Sequence, residues 1–396
     1  MSSVSTSHRP IYLDHQATTP VDPRVLAAMV PYFTEKFGNA ASGSHAFGWE
    51  AAEAVDLARQ QVARILGTVP ESLIFTSGAT EANNLALKGI LHRSPPGSHL
   101  IINAAEHRAV LDPAKRLQRE GFAVTLLPVS PEGRVDPQQV ADALRPNTVL
   151  VSVMAANNEV GTLNPLHEIG TICRQHNVWL HCDAAQAVGK IPLDLEKLPV
   201  DLLSISAHKL YGPKGVGALF VRRGERRIQL EPLFHGGGHE QRLRSGTLPV
   251  PLIVGLGAAC EIAMQEQAAE SLRLSKLTET LWQGLSSRLD GVTLNGPWPE
   301  RLSGNLNVSF AGVAGDALLT SLTEIAVSSG SACTSADPEP SHVLRAMGIS
   351  EPLALASLRF GVGRFNNAAE IDVAIDCVVR HVTRLRQSSS AAGSQG

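Results

Sequence analysis

The residue best placed for covalent chemistry is Lys209. It lies between an apolar strand, Val200-Asp201-Leu202-Leu203-Ser204-Ile205, and the turn Leu210-Tyr211-Gly212-Pro213-Lys214-Gly215. Low-polarity surroundings, or a second cation such as Lys214, favour the neutral amine, and the neutral amine attacks carbonyls. Enzymes that use pyridoxal 5'-phosphate (PLP) need such a lysine to form a Schiff base. A strand-end lysine with its ammonium in water is the plainer alternative.

A second stretch shifts the balance. Strand Ser72–Thr76 runs through Ser77-Gly78-Ala79-Thr80-Glu81 into an apolar-periodic helix, Ala82–Ile90. Strand, small residues and helix start together aim backbone N–H groups and the positive helix end at an anion. Thr80 adds a hydroxyl, although Ser-Gly-X-Thr also serves as plain helix capping.

These stretches need a scaffold. Strand-like runs at His99–Ala104, Phe122–Leu127, Thr148–Ala155, Val178–Cys182 and Val200–Ser206 alternate with helical patterns near 109–120, 136–144 and 165–176. Apolar strands alternating with helices predict an α/β fold, a mostly parallel sheet with helices on both faces. Ligands of such sheets sit beyond the carboxyl ends of the strands. Those ends carry Glu106 and His107, then Asn157, Asn158 and Glu159, then Asp183 and Gln186, then Ser206, His208 and Lys209. Asp183 can pair with a pyridinium nitrogen and keep the ring electron-withdrawing. His107 can stack on the ring or exchange protons, Asn158 and Gln186 can bond the ring hydroxyl, and Ser206 and His208 can join Thr80 on a phosphate. Each alone could be a cap or turn residue; jointly, at successive strand ends, they outline a PLP site.

Beyond Val216–Val221, the glycine-rich run His235–Glu240 leads to Arg244-Ser245-Gly246-Thr247. It reads either as a flexible surface loop or as an arm that brings a hydroxyl to a phosphate across a dimer interface. From about residue 260 a long helix and then short strands and helices suggest a smaller α+β domain. Domains are expected at 11–259 and 260–386, with the N-terminal segment packing on the smaller one and a disordered Ser/Ala/Gly tail at 387–396. In that domain Arg359 stands in an apolar strand, where a guanidinium needs a planar anion: a substrate carboxylate, or a structural partner.

Of five cysteines, Cys173, Cys182, Cys260 and Cys377 sit in apolar or helical contexts and read as buried small hydrophobes. The odd count and the lack of metal-type pairing argue against disulfides and against a metal site. Cys333 differs. It lies in Ser328-Ser329-Gly330-Ser331-Ala332-Cys333-Thr334-Ser335, a run expected to be exposed and mobile, and a modest pKa shift would make it a nucleophile. With 396 residues and 43% apolar content the chain can hold two cores; a net charge of −3 and 4% aromatics give no nucleic-acid signature. No signal peptide or membrane-length apolar run is evident, so a cytoplasmic location is expected.

The stretches YLDHQATTPVDPRV, FTSGATEANNLALKG, AEHRAVLD, NNEVG, HCDAAQAVGK, SAHKLYGPKGVGAL, GGGHEQRLRSGTLP, SSGSACTS and LRFGVGRF closely resemble, in order and across nearly the whole chain, the PLP-dependent cysteine desulfurases of the IscS/NifS type, within the class V aminotransferase superfamily. The resemblance implies a fold-type I homodimer that converts L-cysteine to L-alanine and passes the sulfur, as a persulfide, to acceptor proteins of iron–sulfur assembly or tRNA and cofactor thiolation. It implies Lys209 as the Schiff-base lysine and Cys333 as the sulfur acceptor. Ala79, Thr80, Ser206 and His208 would hold the phosphate, with Thr247 reaching in from the other subunit. Asp183 would pair with the ring nitrogen, Asn158 and Gln186 with the ring oxygen side, and His107 would stack on the ring. Arg359 and Asn158 would hold the substrate carboxylate.

The SSGSACTS stretch resembles the group whose longer cysteine loop swings toward acceptors. The chain departs from the family at Ala40, at Ala155-Ala156, and in ending shortly after Leu385, short of the tail with which housekeeping members dock the iron–sulfur scaffold. Selenocysteine lyase, another class V enzyme and a non-catalytic docking platform are the alternative readings.

Overall fold

The structure, a computed structural model, describes residues 9–224, 226–329 and 339–393. The chain forms two compact units. One comprises residues 18–158 and 162–269; the other comprises the N-terminal segment to Ala17, Glu159–Gly161 and everything from Glu270. The dividing line falls within the long helix Val250–Ser286.

In chain order the strands are β1 (Ile11–Tyr12), β2 (Leu73–Thr76), β3 (His99–Asn103), β4 (Ala123–Leu127), β5 (Thr148–Ser152), β6 (Trp179–Asp183), β7 (Leu202–Ser206), β8 (Gly217–Val221), β9 (Val292–Leu294), β10 (Asn305–Phe310), β11 (Ile325–Ala326) and β12 (Ser357–Gly361). The larger unit is built on a seven-stranded sheet ordered β2-β8-β7-β6-β5-β3-β4. The four pairings from β7 to β4 are parallel; β8 runs antiparallel to both β7 and β2. β2, β3 and β7 are buried along their whole length, which is why they read as unbroken apolar runs rather than alternating ones.

Helices start where the sequence supplies caps. Asp22 and Asp136 accept from Arg24 N and Gln138 N, each followed by a proline at the first helical position. The helix Ala46–Ile65 buries Ala51, Ala54, Val55, Ala58 and Val62 on one stripe and gives way at Gly67, whose φ of +60° is left-handed.

The smaller unit holds an antiparallel sheet ordered β12-β10-β9 and a parallel pair, β1–β11. Leu281, Leu285, Leu306, Val308, Phe310, Phe360, Ile371 and Val378 form its core. Burying side chains of this size contributes roughly 1.5–3 kcal/mol each. The last helix, Ala368–Gly393, continues past Gln387, where a disordered tail was expected to begin. Among the described residues no helix is long and apolar enough to cross a membrane.

Candidate active site

The carboxyl ends of β3, β6 and β7 collect the predicted residues of the larger unit. At β6, Asp183 is buried at 5% exposure. Its Oδ2 accepts from Asn83 Nδ2 at 2.7 Å and its Oδ1 from Ala185 N at 3.0 Å. A carboxylate held at both oxygens cannot rotate away from a ring nitrogen placed before it. Asn83 is fully buried on the helix Ala79–Leu91.

After β3, Glu106 is fully buried. Burial, and then the like charge of Asp183, push its carboxyl well above the usual range. It accepts from Met154 N at 2.6 Å and from the Asn103 side-chain amide. The next residue, His107, caps the helix Arg108–Arg119: its Nδ1 accepts from Ala109 N at 3.1 Å, which leaves the ring proton on Nε2. The residue is exposed, yet the protein around its ring lowers its pKa, with Asp183 opposing and Lys209 reinforcing the shift. Asp183 and Lys209 thus both act electrostatically on His107.

β7 ends at Ser206 and passes through a short 3-10 turn, Ala207–Lys209, that presents Lys209 half-buried. His208 Nδ1 lies 3.1 Å from Thr18 Oγ1. Burial, and then Lys209, Lys214 and Lys190, push its pKa down to about 4. The end of β7 and the start of β8 pack on the loop before Ala79. A Cβ on Gly78 would lie 3.8 Å from Ser206 Oγ, and one on Gly217 would fall 2.2 Å from Ile205 O and 2.7 Å from Gly78 Cα. Gly78 has φ +149° and precedes the helix with no side-chain cap on the first amides. Ala79 and exposed Thr80 open that helix, as an anion cradle requires.

Behind this row, in mid-sheet, His181 is completely buried. Its ring nitrogens meet Ser152 Oγ at 2.8 Å and Ser204 Oγ at 3.0 Å, and burial drops its pKa to about 4.

Three expectations met unforeseen partners. Gln186 Oε1 accepts from Lys190 Nζ at 2.7 Å. The glycine-rich run is tied down: Glu240, 8% exposed, takes two bonds from Arg59 at 2.6 and 3.0 Å and one from Phe75 N at 2.6 Å. These bonds hold Glu240, Gln241 and Arg242 at positive φ. Arg244 adds a 3.0 Å bond to Glu81, which also accepts from Ser77 N, while Thr247 beyond it is exposed. In the smaller unit, Arg359 donates to Asp14 Oδ1 at 2.7 Å, and Ser328 Oγ donates to Oδ2 at 2.7 Å. Asp14 is therefore a structural carboxylate for Arg359 that went unread in the sequence. Asn158 is half-buried, and Cys333 lies outside the described residues. Asn83, Glu240 and Asp14 were missed because their partners are remote in sequence.

The profile of the family described as Aminotransferase class-V matches residues 11–373, and the chain belongs to that family. It is 56% identical to "Cysteine desulfurase IscS" of Anaeromyxobacter dehalogenans (strain 2CP-C) over 381 residues, 96% of this chain and 94% of that protein. Among solved structures it is similar to a NifS-like protein, with a TM-score of 0.88 and 38% identity, covering 95% of this chain and 100% of the other. It is also similar to SspA in complex with cysteine, with a TM-score of 0.79 and 38% identity, covering 89% and 98%.

Family membership brings PLP as cofactor, and the residues fit it. Gly78 leaves open a cradle that a Cβ would narrow against Ser206, and the doubly held Asp183 stands at the neighbouring strand end from Lys209.

Proposed function

We propose that this protein is a cysteine desulfurase that converts L-cysteine to L-alanine and hands the sulfur, as a persulfide, to iron–sulfur cluster assembly. The observation that carries the reading is the pairing of an immobilised acid, Asp183, with a lysine turn one strand away, in a chain 56% identical to a cysteine desulfurase. Lys209 would hold the cofactor through Nζ, and Gly78, Ala79, Thr80, Ser206 and His208 would receive its phosphate. In a cytoplasmic homodimer, Thr247 reaches the partner's phosphate. Asn158 and Gln186 would bond the ring oxygen, and His107 would stack on the ring.

PLP, when bound, supplies an electron sink that makes a substrate Cα–H acidic. The chain's residues do the rest. Asp183 keeps the pyridine nitrogen protonated, and Asn83 keeps Asp183 aimed. Lys209 would carry the Cα proton. His107, neutral with its proton on Nε2, offers a donor on the ring face. Arg359, braced by Asp14, would offer its guanidinium to the substrate carboxylate. The Cys333 thiolate attacks the substrate sulfur: an S–S bond forms, the C–S bond breaks with its electron pair going to carbon, and protonation completes alanine.

Mass spectrometry of the PLP-loaded protein after L-cysteine, without reductant, tests the reading. One added sulfur on the Cys333 peptide, with alanine released, is expected; both are lost in Cys333→Ala. Alanine without sulfur on Cys333 overturns the persulfide step, and no alanine overturns the desulfurase.

A further inference from the structure

We propose a second site, for a thiophilic divalent cation of the zinc type, in the smaller unit and outside the PLP chemistry. Its ligands are Cys377, His381 and Glu324. Cys377 and His381 lie one turn apart on the helix Ala368–Gly393, so their side chains share a face. Glu324 immediately precedes β11 and turns its carboxylate onto that face.

The three side chains converge at ligand-like distances. Cys377 Sγ lies 3.3 Å from Glu324 Oε2, and His381 Nε2 lies 3.4 Å from the same oxygen. All three ligand atoms fall within 4.8 Å of one another. Tetrahedral bonds of roughly 2.0–2.3 Å place ligand atoms about 3.3–3.8 Å apart. His381 is the second, independent sign. Its side chain is nine-tenths buried, its Nε2 makes no hydrogen bond, and that nitrogen points into the cluster. A buried imidazole nitrogen left without a bond carries a desolvation cost that a metal ion would remove.

The neighbours are compatible. Arg380 donates to Glu324 Oε1 at 2.6 Å; it orients the carboxylate from outside and leaves Oε2 for the ion. Arg384 Nη2 stands 3.2 Å from His381 Nδ1. Metal on Nε2 moves the ring proton to Nδ1, so this exposed arginine turns into solvent. Burial and Glu324 hold the Cys377 thiol up at about 11, so each ion bound displaces one proton from Sγ to solvent. The exposed carboxylate provides the way in, and a water can complete the fourth position. No metal spacing is visible in the sequence because Glu324 lies 53 residues before Cys377.

The test is cobalt(II) titration of PLP-loaded Cys333→Ala protein, a background that removes the other candidate thiol. The expected result is one cobalt per chain with intense d–d absorption of a tetrahedral thiolate site, at longer wavelength than the cofactor bands. Cys377→Ala removes these bands. Glu324→Gln, at an exposed position where folding is not at stake, weakens cobalt binding at least about 10-fold. Absence of tetrahedral bands overturns the site, as do bands that persist unchanged in both variants.

Discussion

Acid should unfold this protein in part through His181. The ring is buried at zero exposure between two serine hydroxyls, and its pKa falls from 6.5 to about 4. In the unfolded chain the imidazole takes up a proton near pH 6.5; in the fold it stays neutral to about pH 4. Stability is therefore unaffected above pH 6.5, falls as the pH drops through the window between these values, and levels off below it. At pH 5 the unfolded state gains about 2 kcal/mol from this one group, rising toward about 3 kcal/mol below pH 4. His181→Asn keeps a polar side chain beside the serines but does not titrate. Urea unfolding of both proteins at pH 7.5 and pH 5, at equal cofactor loading, checks the figure. The variant should be less stable at pH 7.5, yet its loss of stability on acidification should be smaller by about 2 kcal/mol. Equal losses would refute the argument, because they would mean that His181 protonates within the fold as easily as outside it.

Two further outcomes follow from the site. Asn83→Ala removes the 2.7 Å bond that aims Asp183; a hydrogen bond to a charged group is worth about 1.5–3 kcal/mol, so turnover should fall roughly 10- to 150-fold while the cofactor still binds. An unchanged rate would show that Ala185 N alone aims the acid. Glu240→Ala leaves Arg59 and Phe75 N without their carboxylate and should cost about 3–5 kcal/mol in urea unfolding, whereas an ordinary exposed loop residue would cost under about 0.5 kcal/mol.

What could be read in the sequence was whatever the backbone periodicity carries. β3, β5, β6 and β7 announced themselves as apolar runs, and their carboxyl ends pointed to His107, Asp183, Ser206 and Lys209. What escaped was pairing across distance. Asn83 meets Asp183 across 100 residues, Phe75 meets Glu240 across 165, and Asp14 meets Arg359 across 345. Nothing local in an asparagine on an apolar helix tells which carboxylate it will face. The glycine-rich run stayed open between two readings for a related reason. The partners that tie down its last residue, Glu240, are Arg59 and Phe75 N, both remote in sequence. The short helices His342–Ala346 and Glu351–Leu355 span too few turns for a 3.6-residue period to register.

Gly217 sets a length. With room for no Cβ between Ile205 O and the Gly78 backbone, the end of β7 and the loop that opens the helix Ala79–Leu91 meet across main chain alone, and a larger residue at Gly217 would force them apart. The pair therefore works as a caliper. On the proposed assignment, a ligand that joins Lys209 to an anion at Gly78 would have to match this fixed spacing, and a vitamer lacking the phosphate would touch one jaw only.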